Sequence, residues 1–566
     1  GGYIIYNGNP VESISYFKSC IRQANWNESE CSVCGNVNPE QIFNIVEAQV
    51  VDEYGSLTQT RKTDPVEWND FYKNYEKKVH KKSILVRELP EVTFKIPNKL
   101  KQAVTYVKRD VLSKLANKQY LIINLFEAPL LALILSYITR YYNIDPSNEF
   151  AYSLRDNPNL PVYIFMSVIV ALFMGLSLSA QEIIKDRLIL KREIFLNLSR
   201  GSYLLSKIMV IVAISAFQSF VYVAIGNSVM GVNGMFLQYW IVLFSTWVAA
   251  SFMGLNISDG FKTTVTIYIV IPFLIIPQIL LSGIIVKFDK LNPNISSPNS
   301  IPWYGEIMIS RWAYEALAVY QFKNNDYEEW FYSFDKEKSI SDYKKNYWLK
   351  TLENRITQYE IYKDDSTKLE KLSNDLILVR NEIQKEKTNN KYVNCSLDVN
   401  DIDINRANEE LIDSVRSYFG RLKTYYNSRY LIANRKKDNL VNKLEKSILG
   451  KEQFKKLKRD YHNERLNEFV RNSDELTPFI EYDGQLYQKI DPIFFNSESK
   501  FLKAHFYAPF KYIFGKAYST LKVNIIIIWV ISFLLYFLLY YRVLSKILDL
   551  SQYLNKIAKD NFKLKK

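Results

Sequence analysis

The stretch "LPVYIFMSVIVALFMGLSLSA" (160–180) holds no charged residue, and "QEIIKDRLILKREIFLNLSRGSYLLSK" (181–207) directly behind it holds Lys185, Arg187, Lys191, Arg192, Arg200 and Lys207. A helix needs roughly 20 residues to cross the hydrocarbon of a bilayer, and loops on the cytoplasmic side are rich in Lys and Arg. The two stretches therefore read as a membrane span that ends in a cytoplasmic loop. Five further runs have the same apolar character, at 120–139, 208–226, 235–255, 264–286 and 523–541. Helices buried in a soluble domain normally keep a polar stripe. Six such runs point instead to a polytopic, mainly α membrane protein whose first partner is the lipid bilayer.

Charge placement sets the rest of the layout. The chain has 566 residues and a net charge of +14, with 48% hydrophobic residues. The tail behind the sixth run carries Arg542, Lys546, Lys556, Lys559, Lys563, Lys565 and Lys566, which places both termini in the cytoplasm. Ahead of the first run, in 97–120, Leu100, Val104, Val107, Val111 and Leu115 form one apolar stripe, with Lys99, Lys101, Lys108, Arg109 and Lys114 off it. That pattern predicts an amphipathic connecting helix on the inner membrane surface. The polar block from 323 to 504 then lies outside. Its apolar spacings (Leu349, Leu352, Ile356, Tyr359; Leu369, Leu372, Leu376, Val379, Ile383; Leu411, Val415, Tyr418, Leu422, Tyr425) predict an external coiled-coil hairpin. Asp483-Gly484 in "FIEYDGQLYQKI" (479–490) marks a small β hairpin. Acidic residues interleave with the basic ones in 435–469, which argues against a nucleic-acid partner.

Polar groups inside the spans are expensive and mark either a pathway or an assembly contact. Glu127 in the first run leads this set as a residue of a substrate path or of a helix pairing, followed by Gln218 and Gln278 as helix-to-helix hydrogen bonds or weaker path residues. Cys31-x-x-Cys34 with Cys20 suggests zinc, but no fourth ligand follows at a usual spacing, so the thiols are read as reduced and no metal is expected. His80, His462 and His505 are scattered and form no catalytic set.

Taken in order, these residues resemble the membrane half of a white/ABCG-type ABC transporter. Gly1, Gly2, Tyr6, Gly8, Tyr16 and Phe17 resemble the closing strand and helix of that family's nucleotide-binding domain, and "CGNVNPEQIFNIVE" (34–47) resembles the Cys and Asn-Pro-Ala-Asp-Phe element that follows them. The 181–207 segment resembles its cytoplasmic coupling loop, with Arg192, Glu193, Tyr203 and Lys207 on matching positions. "LLSGIIVKFDKL" (280–291) and "IPWYGEIMISRWAYEAL" (301–317) resemble its outer gate, through Ser282, Gly283, Pro302, Trp303, Tyr314 and Glu315, with Arg311 where the family often has Pro. The external block is longer than in the familiar eukaryotic members.

The resemblance implies a domain order of 1–50 as a nucleotide-binding-domain remnant, 51–96 as linker, 97–119 as connecting helix, 120–322 as spans one to five, 323–504 as the external domain and 505–566 as span six and tail. No Gly-x-x-x-x-Gly-Lys-Ser/Thr loop occurs, so the chain alone is not expected to hydrolyse ATP. ATP and Mg belong to an upstream nucleotide-binding domain acting in cis, and a second copy or a homologous half completes the pathway. The implied function is export of an amphipathic or lipid-like molecule across a membrane, with a bacterial inner membrane as the expected location. Two alternatives stay open: a mechanotransmitter working the coiled coil against a periplasmic or envelope protein, and a membrane scaffold.

Overall fold

The structure, a computed structural model, describes residues 2–23, 40–53, 57–78, 97–142, 152–193, 198–292, 294–296, 301–390, 392–395, 398–404, 406–448, 450–497, 499 and 501–551. It falls into two units, Gly1–Lys95 and Ile96–Lys566.

In the first unit, α1 (Pro10–Cys20), α2 (Glu40–Val46) and α3 (Pro65–Lys78) accompany an antiparallel pair, β1 (Gln49–Val51) and β2 (Leu57–Arg61). Its core is aromatic: Tyr16, Phe17 and Trp68 are buried, and the Tyr16 ring lies 4.9 Å from Tyr6 and 4.8 Å from Tyr75. The 51–96 segment read as linker thus supplies β2 and α3, and Trp68 of α3 closes this core. Cys31, Cys34 and His80 lie outside the described residues.

The second unit begins with α4 (Lys99–Ala116), capped by the Asn98 side chain. Asn117 ends it and caps α5 (Lys118–Thr139) through a 3.0 Å bond from Tyr120 N, so a single polar residue makes the corner between them. There follow α6 (Leu160–Ser179), α7 (Glu182–Glu193), α8 (Arg200–Met230), α9 (Phe236–Gly260) and α10 (Thr264–Leu280). After α11 (Trp303–Ile307) and α12 (Ile309–Lys323) come the insert helices α13 (Glu328–Tyr343), α14 (Leu349–Tyr362), α15 (Leu369–Asn389), α16 (Glu409–Lys443), α17 (Lys451–Tyr461) and α18 (Glu464–Arg471). Two hairpins, β3 (Phe479–Tyr482) with β4 (Gln485–Gln488) and β5 (Phe510–Ile513) with β6 (Lys516–Ser519), lead into α19 (Thr520–Tyr540).

Five helices among the described residues are long and apolar enough to cross a membrane: α5, α6 running on into α7, α8, α9 and α19. The expected fifth span, 264–286, is shorter than its sequence suggests. Its helix α10 has 17 residues and stops at Leu280, because Gly283 takes a φ of +79° and turns the chain. A Cβ at Gly283 would also drive into the Phe288 ring. Helices α6 and α9 pack closely, since Gly175 leaves room for the backbone of Trp247.

The helix ends sort into two groups. Arg200 reaches the Leu539 carbonyl at 3.1 Å, Arg187 reaches the Phe261 carbonyl at 2.9 Å and Lys114 meets Glu182 at 2.7 Å, so α4, α7 and the adjoining ends of α8, α9 and α19 share one basic end. At the other end Tyr152 donates to the Met230 carbonyl at 2.5 Å, and Asn463 of the insert donates to the Leu154 and Asn157 carbonyls.

The connecting helix α4 turns its apolar stripe away from the protein. Leu100, Val104, Val111 and Leu115 are exposed, whereas Gln102, Ala103, Tyr106 and Asp110 are buried. A soluble helix would bury the opposite face, and this orientation suits a helix whose apolar side meets lipid.

In the insert most of the predicted seam residues become buried, though Leu369 is exposed and Leu411 and Tyr425 are only partly buried, and they form one bundle rather than a two-helix coiled coil. Leu349, Leu352 and Ile356 of α14, Leu372, Leu376, Val379 and Ile383 of α15, and Ile412, Val415, Tyr418, Phe419 and Leu422 of α16 share a single core with Leu486 of β4. The β3–β4 turn is the expected one, with Asp483 and Gly484 both at positive φ. The insert is also rooted in the membrane part, for Leu466, Val470, Ile493 and Phe494 join the core formed by α6, α9 and α12.

Candidate functional site

At the basic end a buried ion network fastens α4 and α7 to α8. Lys207, 4% exposed, sits on α8 with its amine 2.5 Å from Asp110 Oδ1, 3.0 Å from Asp186 Oδ2 and 3.1 Å from Glu182 Oε2. Lys114 bridges Asp110 at 2.8 Å and Glu182 at 2.7 Å, so two ammonium groups, from α8 and α4, serve three carboxylates on α4 and α7. Burial alone would raise the Asp110 carboxyl, but Lys207 and Lys114 outweigh it and hold the group below the usual carboxylate range. Such a network is costly to bury and costlier to break, because each lost partner strands a charge.

Neutral contacts extend it. Tyr203 donates to Asp186 at 3.1 Å and meets the Tyr106 ring edge-on at 5.7 Å. Ser202 Oγ donates to the Lys99 carbonyl at 2.8 Å, and Ser199 N donates to Gln102 Oε1 at 2.8 Å. Helix α7 is pinned to α9 as well, since Ser258 Oγ accepts from Ile183 N at 3.0 Å and Ile184 N at 3.1 Å. The sum is a rigid assembly in which a displacement of α7 must carry α4 and the foot of α8 with it.

Three of the four proposed coupling residues meet here. Tyr203 and Lys207 stand within the network, and Glu193 pairs at 2.7 Å with Arg109 of α4. Arg192 is exposed on α7 and outside it. Sequence reading passed over Asp110, Glu182 and Asp186, three acids in a basic neighbourhood. The signal was present in the i,i+4 spacings Asp110–Lys114 and Glu182–Asp186, which put each pair on one helix face.

The polar span residues fall elsewhere. Gln218 Nε2 donates to the Asn124 carbonyl at 2.9 Å, joining α8 to α5, while Gln218 Oε1 is buried without a partner. Glu127 lies one turn beyond Asn124, half-buried, with no ion-pair or hydrogen-bond partner among the described residues. Gln278 of α10 accepts from Ser310 N at 3.0 Å and, through its carbonyl, from Ser310 Oγ at 2.6 Å, tying α10 to α12.

The proposed outer-gate residues do not converge on one point. Ser282 Oγ donates to the Ile279 carbonyl at 2.8 Å and Gly283 makes the turn described above. Pro302 caps α11, and Trp303 is 74% exposed. Arg311, Tyr314 and Glu315 are buried on α12. Arg311 pairs with Glu306 at 2.7 Å and Glu315 at 3.3 Å, and Glu315 in turn meets Lys511 of β5 at 2.5 Å and Asn524 of α19 at 2.9 Å. Burial draws the Lys511 amine down to about 8, against the carboxylate of Glu315, which raises it. This second network locks the β5–β6 hairpin and the head of α19 onto α12.

Among the described residues no group of His, Cys, Asp and Glu is arranged to hold a metal ion. No curated protein matches the sequence. Residues 101–322, which hold α4 through α12 and the network around Lys207, match the family described as ABC-2 type transporter, and this segment is an ABC-2 type permease domain.

Proposed function

We propose that the chain is the membrane half of an ATP-driven ABC exporter of the white/ABCG type, moving an amphipathic or lipid-like substrate outward. Permease domains of this family normally work as dimers in the membrane with a nucleotide-binding partner. In this reading the basic end is cytoplasmic, and a nucleotide-binding domain that carries ATP and Mg bears on α7. The observation that supports it most is the Lys207 network, because force delivered to α7 reaches the spans through buried charges that cannot separate cheaply. The apolar outward stripe of α4 agrees, since it keeps that assembly at the membrane surface.

Both termini are then cytoplasmic and the insert is external. Glu127, with Asn124 and Gln218 beside it, is the polar point of the substrate path within α5 and α8.

The test is reconstitution of the chain with its nucleotide-binding domain in vesicles containing a fluorescent phospholipid analogue. ATP-dependent movement of the analogue between leaflets, together with ATPase stimulation by it, is the expected result. ATP hydrolysis that neither moves the analogue nor responds to it would overturn the exporter reading.

A further inference from the structure

A cavity of about 550 Å³ opens at the basic end beside the Lys207 network, between α7, the middle of α4, the foot of α8, the end of α9 and Arg542 behind α19. Its walls are mixed. Ile183, Leu190 and Leu198 give it an apolar side, while Arg187, Lys191, Arg200 and Arg542 bring four cations against the two carboxylates of Glu193 and Asp259. One of those carboxylates, Glu193, is already engaged by Arg109 from outside the cavity, at 2.7 Å.

The guanidinium groups are held in place by the protein. Arg187 is fixed by the carbonyls of Asp259 at 3.0 Å and Phe261 at 2.9 Å. Arg200 and Arg542 share the single carboxylate of Asp259, at 3.4 and 3.3 Å. Two cations on one anion leave positive charge uncompensated, and Lys191 adds a further ammonium with no partner among the described residues. Two polar atoms in the lining are buried and unsatisfied: Arg200 Nε, a donor, and Glu193 Oε2, an acceptor. One donor and one acceptor without a partner thus border the same space.

We infer that this cavity binds an anionic glycerophospholipid, with its phosphodiester among Arg200, Arg542 and Lys191 and a hydroxyl or ammonium of its headgroup donating to Glu193. The chemistry fits on three counts. A phosphodiester accepts charge-assisted hydrogen bonds from guanidinium groups. A headgroup donor satisfies the acceptor that a bare phosphate would repel. The apolar wall continues from the charged one, as the acyl chains beneath a headgroup require, at the level where basic pockets between spanning helices meet lipid headgroups. The inference is independent of which molecule is transported and of which way.

The experiment is a thermal-unfolding titration of the full chain in neutral detergent with dioctanoyl phosphatidylglycerol, dioctanoyl phosphatidylcholine or sodium phosphate at matched concentrations. Phosphatidylglycerol is expected to raise the midpoint saturably, and phosphatidylcholine not to. Lys191→Gln removes a charge without stranding a partner and should weaken the apparent affinity about fivefold, with Arg542→Gln added about 25-fold. Equal responses to the two lipids, or unchanged affinity in both variants, would overturn the site. Sodium phosphate acting as strongly as phosphatidylglycerol would overturn the lipid assignment and give the cavity to a soluble phosphate.

Discussion

Replacing Lys207 by Met removes one cation from a network of two lysines and three carboxylates and keeps most of the side-chain volume. Lys207 is 5% exposed at its side chain, and Asp110 and Glu182 are each 10% exposed, so little solvent screening softens the change. Breaking a buried ion pair by removing one partner costs about 3–5 kcal/mol. Lys114 still faces Asp110 and Glu182, which puts the expected loss at about 3 kcal/mol, more than a hundredfold in the folding equilibrium. Because the loss comes from stranded carboxylates, Asp110→Asn in the Lys207→Met background should restore part of it, with a coupling energy of about 1–3 kcal/mol.

The pH dependence differs between the two proteins. In the native chain the Asp110 carboxyl lies below its ordinary 3.8, so its contribution is present above that value and fades as pH falls through the lowered one. In Lys207→Met the buried Asp110 carboxyl loses the larger of its two cations, so its pKa rises from the lowered value and the penalty at neutral pH shrinks as acid protonates it. The stability gap between variant and native chain should therefore narrow between about pH 7 and pH 4. Reversible unfolding in mixed detergent micelles, read by circular dichroism across that range, measures all of this. A loss under about 0.5 kcal/mol, or a double variant equal to the sum of the singles, would refute the network as the fastening of α4 and α7.

Three further outcomes are expected. Gly283→Ala, at φ +79° and against the Phe288 ring, should cost about 1–3 kcal/mol in the same unfolding assay, whereas Gly515→Ala, at φ +78° with nothing within 4 Å, should cost the smaller backbone share alone. Glu193→Ala breaks a partly exposed pair with Arg109 and should change stability by under about 1 kcal/mol, while substrate-stimulated ATPase of the complex falls up to about tenfold; an unchanged turnover would limit Glu193 to holding α4. Asn463→Ala removes the cap of α18 and two bonds to the 154–157 loop, so hydrogen exchange should quicken in both segments, and protection equal to the native chain would show that the clasp is dispensable.

What the sequence discloses is what one segment can decide on its own. Five of the six apolar runs, the stripe of α4 and the Asp483-Gly484 turn are local patterns, and each appears in the structure as the element it predicts. The β5–β6 hairpin escaped notice because its turn is Phe514-Gly515, where a bulky residue occupies a positive φ of 49° that Asn or Asp would have advertised. The end of α10 was missed for a similar reason, since Ile284, Ile285 and Val286 continue the hydropathy past the point where Gly283 turns the backbone. The ion networks are a different kind of miss. Asp110, Glu182, Asp186 and Lys207 come from three separate helices, as Arg311, Glu315 and Lys511 come from α12 and a strand almost 200 residues later, and no spacing rule joins positions that only packing brings together.

The same distinction bears on the insert, whose composition marked it off cleanly and whose contacts do not. Its distal helices α14, α15 and α16 keep a core of their own, which is the property of a separate module. Its proximal part behaves otherwise. Arg155 pairs with Glu464 and Lys489 lies 3.4 Å from Asp289, so the insert is tied to the α5–α6 loop and to the segment after α10, while Lys511 of the β5–β6 hairpin behind it is buried against Glu315 of α12. Those are the ends of three separate parts of the permease. A movement of α12 relative to α6 cannot occur without straining at least one of these ties, and the strain enters the insert through α18 rather than through a flexible tether. A deletion confined to the distal helices and a deletion reaching Asn463 therefore perturb different things: the first removes a module, whereas the second also releases the end of the spans opposite the basic one.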